Sequence, residues 1–313
     1  MKSPGFWAKR GILAYALAPL SAVTAVLTAR RIAKPGFKPG LKVICVGNAG
    51  VGGSGKTTVV LDFLNRLHGP RFALTRGYGG RLAGPVLVDP TIHNAGDVGD
   101  EALLLAAAAP TIVSRDRAAG AKLALAEGAS VVVMDDGLQN PALVKTLSVL
   151  VIDGGYGFGN GLLLPAGPLR EPVAKAAARC QAAVLIGADE TGALAALPPA
   201  LPVLRAELVP SCTKSLDNHR VLAFAGIGRP EKFFHSVLSL GAEIVSKHAF
   251  PDHHVYSALD SARLLNEASE LGVTLVTTAK DYVKLPAPLR AASLVVGVRL
   301  RWENEVALEA LLK

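Results

Sequence analysis

Within the run VICVGNAGVGGSGKTTVV, the residues Gly50-Val51-Gly52-Gly53-Ser54-Gly55-Lys56-Thr57 constrain the chain more than any others. They satisfy the spacing G-x-x-x-x-G-K-[ST]. Glycines let successive backbone N–H groups wrap an anion, the lysine reaches its outer phosphates, and the final hydroxyl can ligate a divalent cation. This geometry needs a strand before the loop and a helix after it. LKVICVG supplies an apolar strand, and KTTVVLDFLNRLH reads as a helix whose positive N-terminal end adds to the anion site. Nucleotide phosphates are therefore expected on Gly50 to Thr57, with Thr58 counted with the loop and Thr57 as a Mg²⁺ ligand.

The rest of the chain continues that alternation. RFALTRGYGG, PTIVS, SVVVMDDG and LSVLVIDG read as short apolar strands, separated by helical patterns such as GDEALLLAAAA and RAAGAKLALAEGA. Such a pattern predicts an α/β fold with a mostly parallel sheet covered by helices on both faces. Ligands in such sheets collect at the carboxyl ends of the strands, where Gly47, Arg76, Asp135 and Asp153 fall. A Pro-rich stretch near 197–212 interrupts the alternation, and HRVLAFAGIGRPEKFF opens a new strand–loop–helix unit. The division expected is an apolar N-terminal helix over 1–33, a P-loop domain over 34–216, and a smaller α/β domain over 217–313.

With 313 residues, 50% of them hydrophobic and 19% charged, the chain can bury a substantial core and is not a disordered protein. Cys45, Cys180 and Cys212 are widely spaced, form no CxxC, and fit structural thiols in a reducing compartment. The net charge of +8 suits an anionic partner. No basic tract interleaved with aromatics is present, so nucleic acid is not the expected one. Near the start, GILAYALAPLSAVTAVLTA carries no charge and lies between Lys9-Arg10 and Arg30-Arg31. As a helix it would be about 28 Å long, near the thickness of a hydrocarbon core. Three readings compete: a membrane-surface helix with basic flanks, a spanning helix interrupted by Pro19, and a helix packed on the protein itself. A signal peptide fits poorly, because Arg30-Arg31 follows directly and a phosphate loop needs cytosolic nucleotide.

Several acids and bases suggest chemistry. Asp135 and Asp136 end an apolar strand, where a P-loop fold places its metal-holding acid, although Asp-Gly is also a common turn. Asp100 and Glu101 open a helix; they serve as helix-start acids or, near a phosphate site, as acceptors of a hydroxyl proton. His253, beside Asp252 and His254, lacks further ligands at metal spacing and reads as a partner for a carboxylate or as a surface loop residue. Arg76 and Arg170 sit in Gly/Pro-rich loops, where a guanidinium suits phosphate.

Taken together, VGNAGVGGSGKT, TRGYGG, VGDEALLLA, MDDGLQN, NGLLLPAGPLREP, AFAGIGRPEKFF, AFPDHH and TTAKDYVKL resemble the tetraacyldisaccharide 4′-kinase family of lipid A biosynthesis in Gram-negative bacteria. The resemblance implies two α/β domains with the active site between them. It also implies ATP and Mg²⁺, an acylated disaccharide 1-phosphate as acceptor, and a location on the cytoplasmic face of the inner membrane. By position it makes Asp100 the catalytic acid, His253 its partner and Lys56 the phosphate lysine. Asp135, Asp136 and Gln139 fall near Mg²⁺, Arg76 and Arg170 face phosphates, and Glu101 of the same GDE is a further substrate or phosphate candidate. Thr58 replaces a proline usual after GKT, NAGVGG replaces a more usual Ile-Ser/Thr, and Ala279 replaces the acid of TEKD. Lys280 and Asp281 remain weak candidates there. Two rival readings are a regulatory P-loop ATPase or GTPase switch, and a membrane-anchored binding protein with a vestigial loop. The absence of N-K-x-D argues against the GTPase form, and the intact Lys56-Thr57 against decay.

Overall fold

The computed structural model describes residues 4–228 and 230–313. The first half holds β1 (Lys42–Gly47), β2 (Arg71–Thr75), β3 (Val86–Leu87), β4 (Thr111–Val113), β5 (Val131–Asp135) and β6 (Leu147–Asp153). The chain continues through β7 (Ala182–Ile186), β8 (Val203–Cys212), β9 (Arg220–Ala225), β10 (Glu243–Ala249), β11 (Thr274–Thr278) and β12 (Ser293–Trp302). All join one twelve-stranded sheet in the order β10-β9-β11-β12-β8-β7-β6-β1-β5-β2-β4-β3. Pairing is parallel throughout except for β3 on β4 and β12 on β8. The fold is α/β, and its strands are apolar runs such as Val-Val-Val-Met because both faces are covered.

The antiparallel pair β8–β12 joins two parallel halves. In each half, crossovers leave neighbouring strands in opposite directions, toward β7 and β2 in one and toward β10 and β12 in the other. The two switch points therefore fall between β1 and β6 and between β9 and β11, where parallel sheets open a crevice at their carboxyl ends.

The Pro-rich stretch expected to interrupt the alternation is instead largely β8. Its second half has only β12 as a neighbour, so Pro210, opposite Val298, removes no ladder bond that the sheet needs. The β7 run AAVLI is a fully buried strand with no alternation to reveal it.

Helices α1 (Ile12–Ile32), α2 (Lys56–Arg66), α3 (Ala95–Val98), α4 (Asp100–Ala106) and α5 (Arg117–Ala126) belong to the first half. They are followed by α6 (Val173–Ala177), α7 (Pro230–Ser239), α8 (Ala258–Leu271), α9 (Ala279–Tyr282), α10 (Ala287–Ala292) and α11 (Glu305–Leu312). We propose the division at 217 as the organisation of the chain, with one qualification from packing. Leu308 and Leu312 of α11 return to the core formed by Ile44, Val59 and Phe63, although the sequence division assigns α11 to the smaller unit. Trp302 stacks on Phe63 at 6.4 Å and donates from Nε1 to Asp62 at 3.0 Å. The segment from Trp302 to the last residue thus fastens the second half onto the first.

Only Ala14, Ser21 and Thr28 of α1 are buried, a stripe at seven-residue spacing. Ile12 is 92% exposed, and Leu13, Tyr15, Leu20, Val23, Val26 and Leu27 are more than half exposed. The helix is long and apolar enough to cross a membrane. The helix and the residues just before it meet one loop: Ser21 Oγ donates to the Leu163 carbonyl at 2.8 Å, Trp7 Nε1 to Pro165 O at 3.0 Å, and Arg10 Nε to Asn160 O at 3.1 Å.

Trp302→Ala is expected to destabilise the protein by about 3–5 kcal/mol, the usual cost of truncating a buried large aromatic. A chemical-denaturation midpoint indistinguishable from wild type would show that the C-terminal segment is not a fastening.

Candidate active site

β1 runs buried to Gly47, where a Cβ would meet Leu138 Cγ at 2.6 Å, so a glycine is needed for the chain to leave the strand there. The loop ends at Gly55, which caps α2 with φ 81°, a conformation that favours glycine. Lys56 Nζ donates to Gly52 O at 3.4 Å and lies 3.9 Å from Asp136 Oδ1. Across the crevice, the segment 168–170 pins the loop: Val51 N donates to Pro168 O at 2.9 Å, and Arg170 N to Ala49 O at 2.8 Å. Asp153, Tyr156 and Phe158 complete the walls. Asn48 Oδ1 and Ser54 Oγ are buried with no hydrogen-bond partner among the described residues, which suits a site whose polar partners come with a ligand.

The adjacent acids at the end of β5 have separate partners. Asp135, 4% exposed, accepts from Thr57 Oγ1 at 3.2 Å. Burial, reinforced by the charges of Glu101 and Asp136, pushes its carboxyl up to about 7 against the opposing pull of Lys56 and Thr57. Its Oδ1 is buried and has no hydrogen-bond partner. A cation would satisfy that oxygen and relieve the charge. Among the described residues no three His, Cys, Asp or Glu side chains form a metal cage. Mg²⁺ requires none, since it takes one or two carboxylates plus water and phosphate oxygens. Thr57 and Asp135 fit that donor set.

Asp136, with φ 53°, turns instead to Arg170, whose Nη1 reaches its carboxylate oxygens at 3.0 and 2.9 Å. The same nitrogen donates to Gln139 Oε1 at 3.2 Å. Gln139 Nε2 donates to Asn48 O and to Glu171 Oε1, both at 2.9 Å. Arg170 and Gln139 are therefore tied into a network beneath the loop. Arg76 stands exposed just beyond β2, and Glu101 is half-buried on α4.

Sequence reasoning missed two members of this neighbourhood. Arg117 is 3% exposed and donates to Ser114 O and, at 3.5 Å, to the Asp135 carbonyl. Burial pushes its guanidinium down to about 10, with Asp136 and Asp135 opposing. Glu171, also 3% exposed, is held by Arg179 at 2.6 Å. Arg117 gave no signal beyond a helix start; Glu171 lay inside the quoted LLPAGPLREP.

The second half of the chain meets the first at Asp100. Asp100 is the first residue of α4, set after Gly99 at φ 86°, and is 4% exposed. His253 Nδ1 meets Asp100 Oδ2 at 2.9 Å and Oδ1 at 3.1 Å across 153 residues of sequence. A carboxylate accepts only, so Nδ1 carries the proton and donates. Lys280 and Lys284 of the TAKDYVKL segment approach the same Oδ2 at 3.8 and 3.7 Å. Lys284 was also missed: nothing in one sequence separates it from a solvent-facing lysine.

A phosphate loop opening a helix, with a cation-ready carboxylate on the adjoining strand, defines a P-loop nucleotide-dependent phosphotransferase. The family model for tetraacyldisaccharide-1-P 4′-kinase matches residues 13–313, and the chain belongs to that family. It is 52% identical to the tetraacyldisaccharide 4′-kinase of Gluconacetobacter diazotrophicus over 318 residues, covering 100% of this chain and 97% of that one. The Rhodospirillum centenum enzyme of the same name is 50% identical over 324 residues, covering 100% and 96%. Among solved structures, LpxK from Aquifex aeolicus in complex with ATP superposes with a TM-score of 0.79 at 28% identity, covering 96% of this chain and 98% of that one.

The raised Asp135 carboxyl gives a pH-dependent expectation for the metal-free, nucleotide-free protein. A native carboxyl at about 7 against 3.8 unfolded means that the folded state binds the extra proton between those values. Its contribution to stability therefore falls as pH rises through that window. Asp135→Asn is expected to raise the thermal midpoint at alkaline pH, and the gain is expected to vanish toward acid. An equal shift at all pH values would place the effect elsewhere.

Proposed function

We propose that this chain transfers the γ-phosphoryl group of ATP to the 4′-hydroxyl of a tetraacylated disaccharide 1-phosphate in lipid A biosynthesis, working at the cytoplasmic face of the inner membrane. The observation that carries this reading is the Asp100–His253 pair in a chain that also holds an intact phosphate loop. An acceptor hydroxyl needs a proton acceptor of this kind, and the pair forms only where the two halves of the sheet meet. Lys56 and the loop amides bind the β- and γ-phosphates. Thr57 and Asp135 would hold Mg²⁺, which when bound neutralises charge on the phosphates. Asp136, fixed by Arg170, keeps Lys56 aimed at the phosphate site. Asp100 takes the proton of the attacking hydroxyl while His253 holds its carboxylate in place. Phosphoryl transfer of this kind is mostly positioning and charge neutralisation, so the fixed walls do most of the work.

The exposed apolar faces of α1 keep the enzyme where an acylated acceptor lies, and Arg30 and Arg31 favour an anionic leaflet. Arg76, exposed just beyond β2, is a phosphate-facing candidate, and Glu101, whose charge reaches Asp135, is a second candidate carboxylate for the site.

The test is transfer itself, with γ-labelled ATP, Mg²⁺ and a tetraacyl-disaccharide 1-phosphate in detergent. Label is expected in the lipid. Label released only as inorganic phosphate would overturn the acceptor. Asp100→Ala is expected to lower turnover by about 10²-fold or more while ATP binding persists, as for loss of a general base. Near-normal turnover would remove Asp100 from that role. Lys56→Ala is expected to damage ATP binding and turnover together, and retention of both would take the loop out of the mechanism.

A further inference from the structure

Asp100 is approached by three nitrogen groups, all from the second half of the chain. His253 touches both carboxylate oxygens, whereas Lys280 and Lys284 both lie against Oδ2. The two lysines are not equivalent. The Lys280 side chain is 26% exposed, while that of Lys284 is 4% exposed and stands between two carboxylates. On its other side Lys284 Nζ lies 3.2 Å from Asp281 Oδ1, and the Asp281 side chain is fully buried. Asp281 is itself immobilised, since its Oδ2 accepts from Gly226 N at 2.9 Å and from Thr278 Oγ1 at 2.7 Å.

Gly226 links this arrangement to the histidine. Its carbonyl accepts from the His253 backbone N–H at 3.2 Å, while its own N–H holds Asp281. A Cβ on Gly226 would meet Asp281 Oδ1 and His254 Cβ, both at 3.1 Å, so there is no room for a side chain there without displacement. One residue at the β9–β11 switch point therefore mounts both groups, His253 and the Asp281–Lys284 pair, that face Asp100. Burying an ammonium costs several kcal/mol unless charges and hydrogen bonds compensate it, and a salt link to Asp281 alone would not require Lys284 to point at the opposite half.

We propose that Lys284 is a positioning residue for Asp100. Resting on the reading of Asp100 as the base, it holds Oδ2 against the second half, so that Oδ1 is the oxygen presented to the acceptor hydroxyl. Lys284 makes no contact with the reacting atoms. It acts by fixing the rotation of the carboxylate and the approach of the two halves.

The discriminating variant is Lys284→Met combined with Asp281→Asn, which removes the buried charge pair as a unit. Replacing such a pair by neutral groups of similar volume is often neutral for stability. The double variant is expected to melt near wild type and to keep its ATP affinity and its KM for the lipid. Its kcat is expected to fall about tenfold or more, within the roughly 10²-fold that a misplaced catalytic group can cost. Recovery of kcat together with stability would overturn the proposal, because Lys284 would then serve only to neutralise Asp281.

A second comparison covers a double variant that does not fold. Lys284→Gln is measured in the wild-type and Asp100→Asn backgrounds. A fall in kcat confined to the wild-type background supports positioning through Asp100, and an equal fall in both overturns it. Wild-type transfer to the lipid, and its loss in Asp100→Asn alone, test the function and the base separately from this proposal.

Discussion

The geometry of the site rests on the antiparallel pairing of β8 with β12, from Val296 opposite Cys212 to Trp302 opposite Ala206. Two parallel half-sheets, each with its own switch point, could be joined by a flexible linker and reach many relative positions. Fused through a ladder of backbone hydrogen bonds, they cannot. The ladder brings the carboxyl end of β9 and β11 toward the phosphate loop after β1, so His253 and Asp100 meet despite their separation in sequence. The return of Trp302 and α11 to the first core anchors the far end of that ladder. Motion between the halves must then come from bending the sheet or shifting the loops that cap it, which gives a cleft whose walls are largely set before any ligand arrives.

The phosphate loop and the N-terminal helix share a support. The segment from Asp153 to Arg170 lines the nucleotide crevice with Tyr156 and Phe158, pins the loop through Pro168, and holds Asp136 through Arg170. Its middle, from Asn160 to Ala166, accepts the contacts of Trp7, Arg10 and Ser21. This one glycine- and proline-rich segment, folded between them by Asn160 bonding to Phe6 and Ala166, therefore fixes the crevice relative to the exposed apolar face of the helix.

Where the sequence was legible, local chemistry was decisive. Gly47 through Thr57 can be read directly because each residue type has one job in a strand–loop–helix turn, and β1, β5, β6 and α2 follow from apolar runs of unmistakable length. β8 and β7 were hidden for opposite reasons. Prolines in β8 read as a break because sequence does not show that its second half has a single neighbour, and β7 is too uniformly apolar to show a period. The second wall was legible only in part. Asp100 and His253 stood out through motif resemblance, but Lys284 and Arg117 acquire meaning from burial, and burial of a charged side chain is a property of the fold around it. The separate partners of Asp135 and Asp136 were equally invisible, since two adjacent identical residues differ only in which way the backbone turns them.

That turn has a cost, and its location is informative. Among the described residues, three non-glycine residues have positive φ: Asp136, Asn218 and His253. A left-handed conformation costs a non-glycine residue roughly 1–2 kcal/mol, least for Asp and Asn, and persists only where the surroundings over-determine it. At Asp136 the surroundings are Arg170 and Lys56, which hold the carboxylate away from the strand that Asp135 continues. At His253 they are the Gly226 carbonyl, which fixes the backbone, and Asp100, which fixes the ring. A glycine would adopt either backbone more readily but would bring no side chain. Both positions therefore keep a functional group in a conformation that the local chain disfavours, and in both the compensating contacts come from segments distant in sequence. The strain and its compensation therefore lie in different segments, as expected where the position of a side chain matters more than the stability of its own turn.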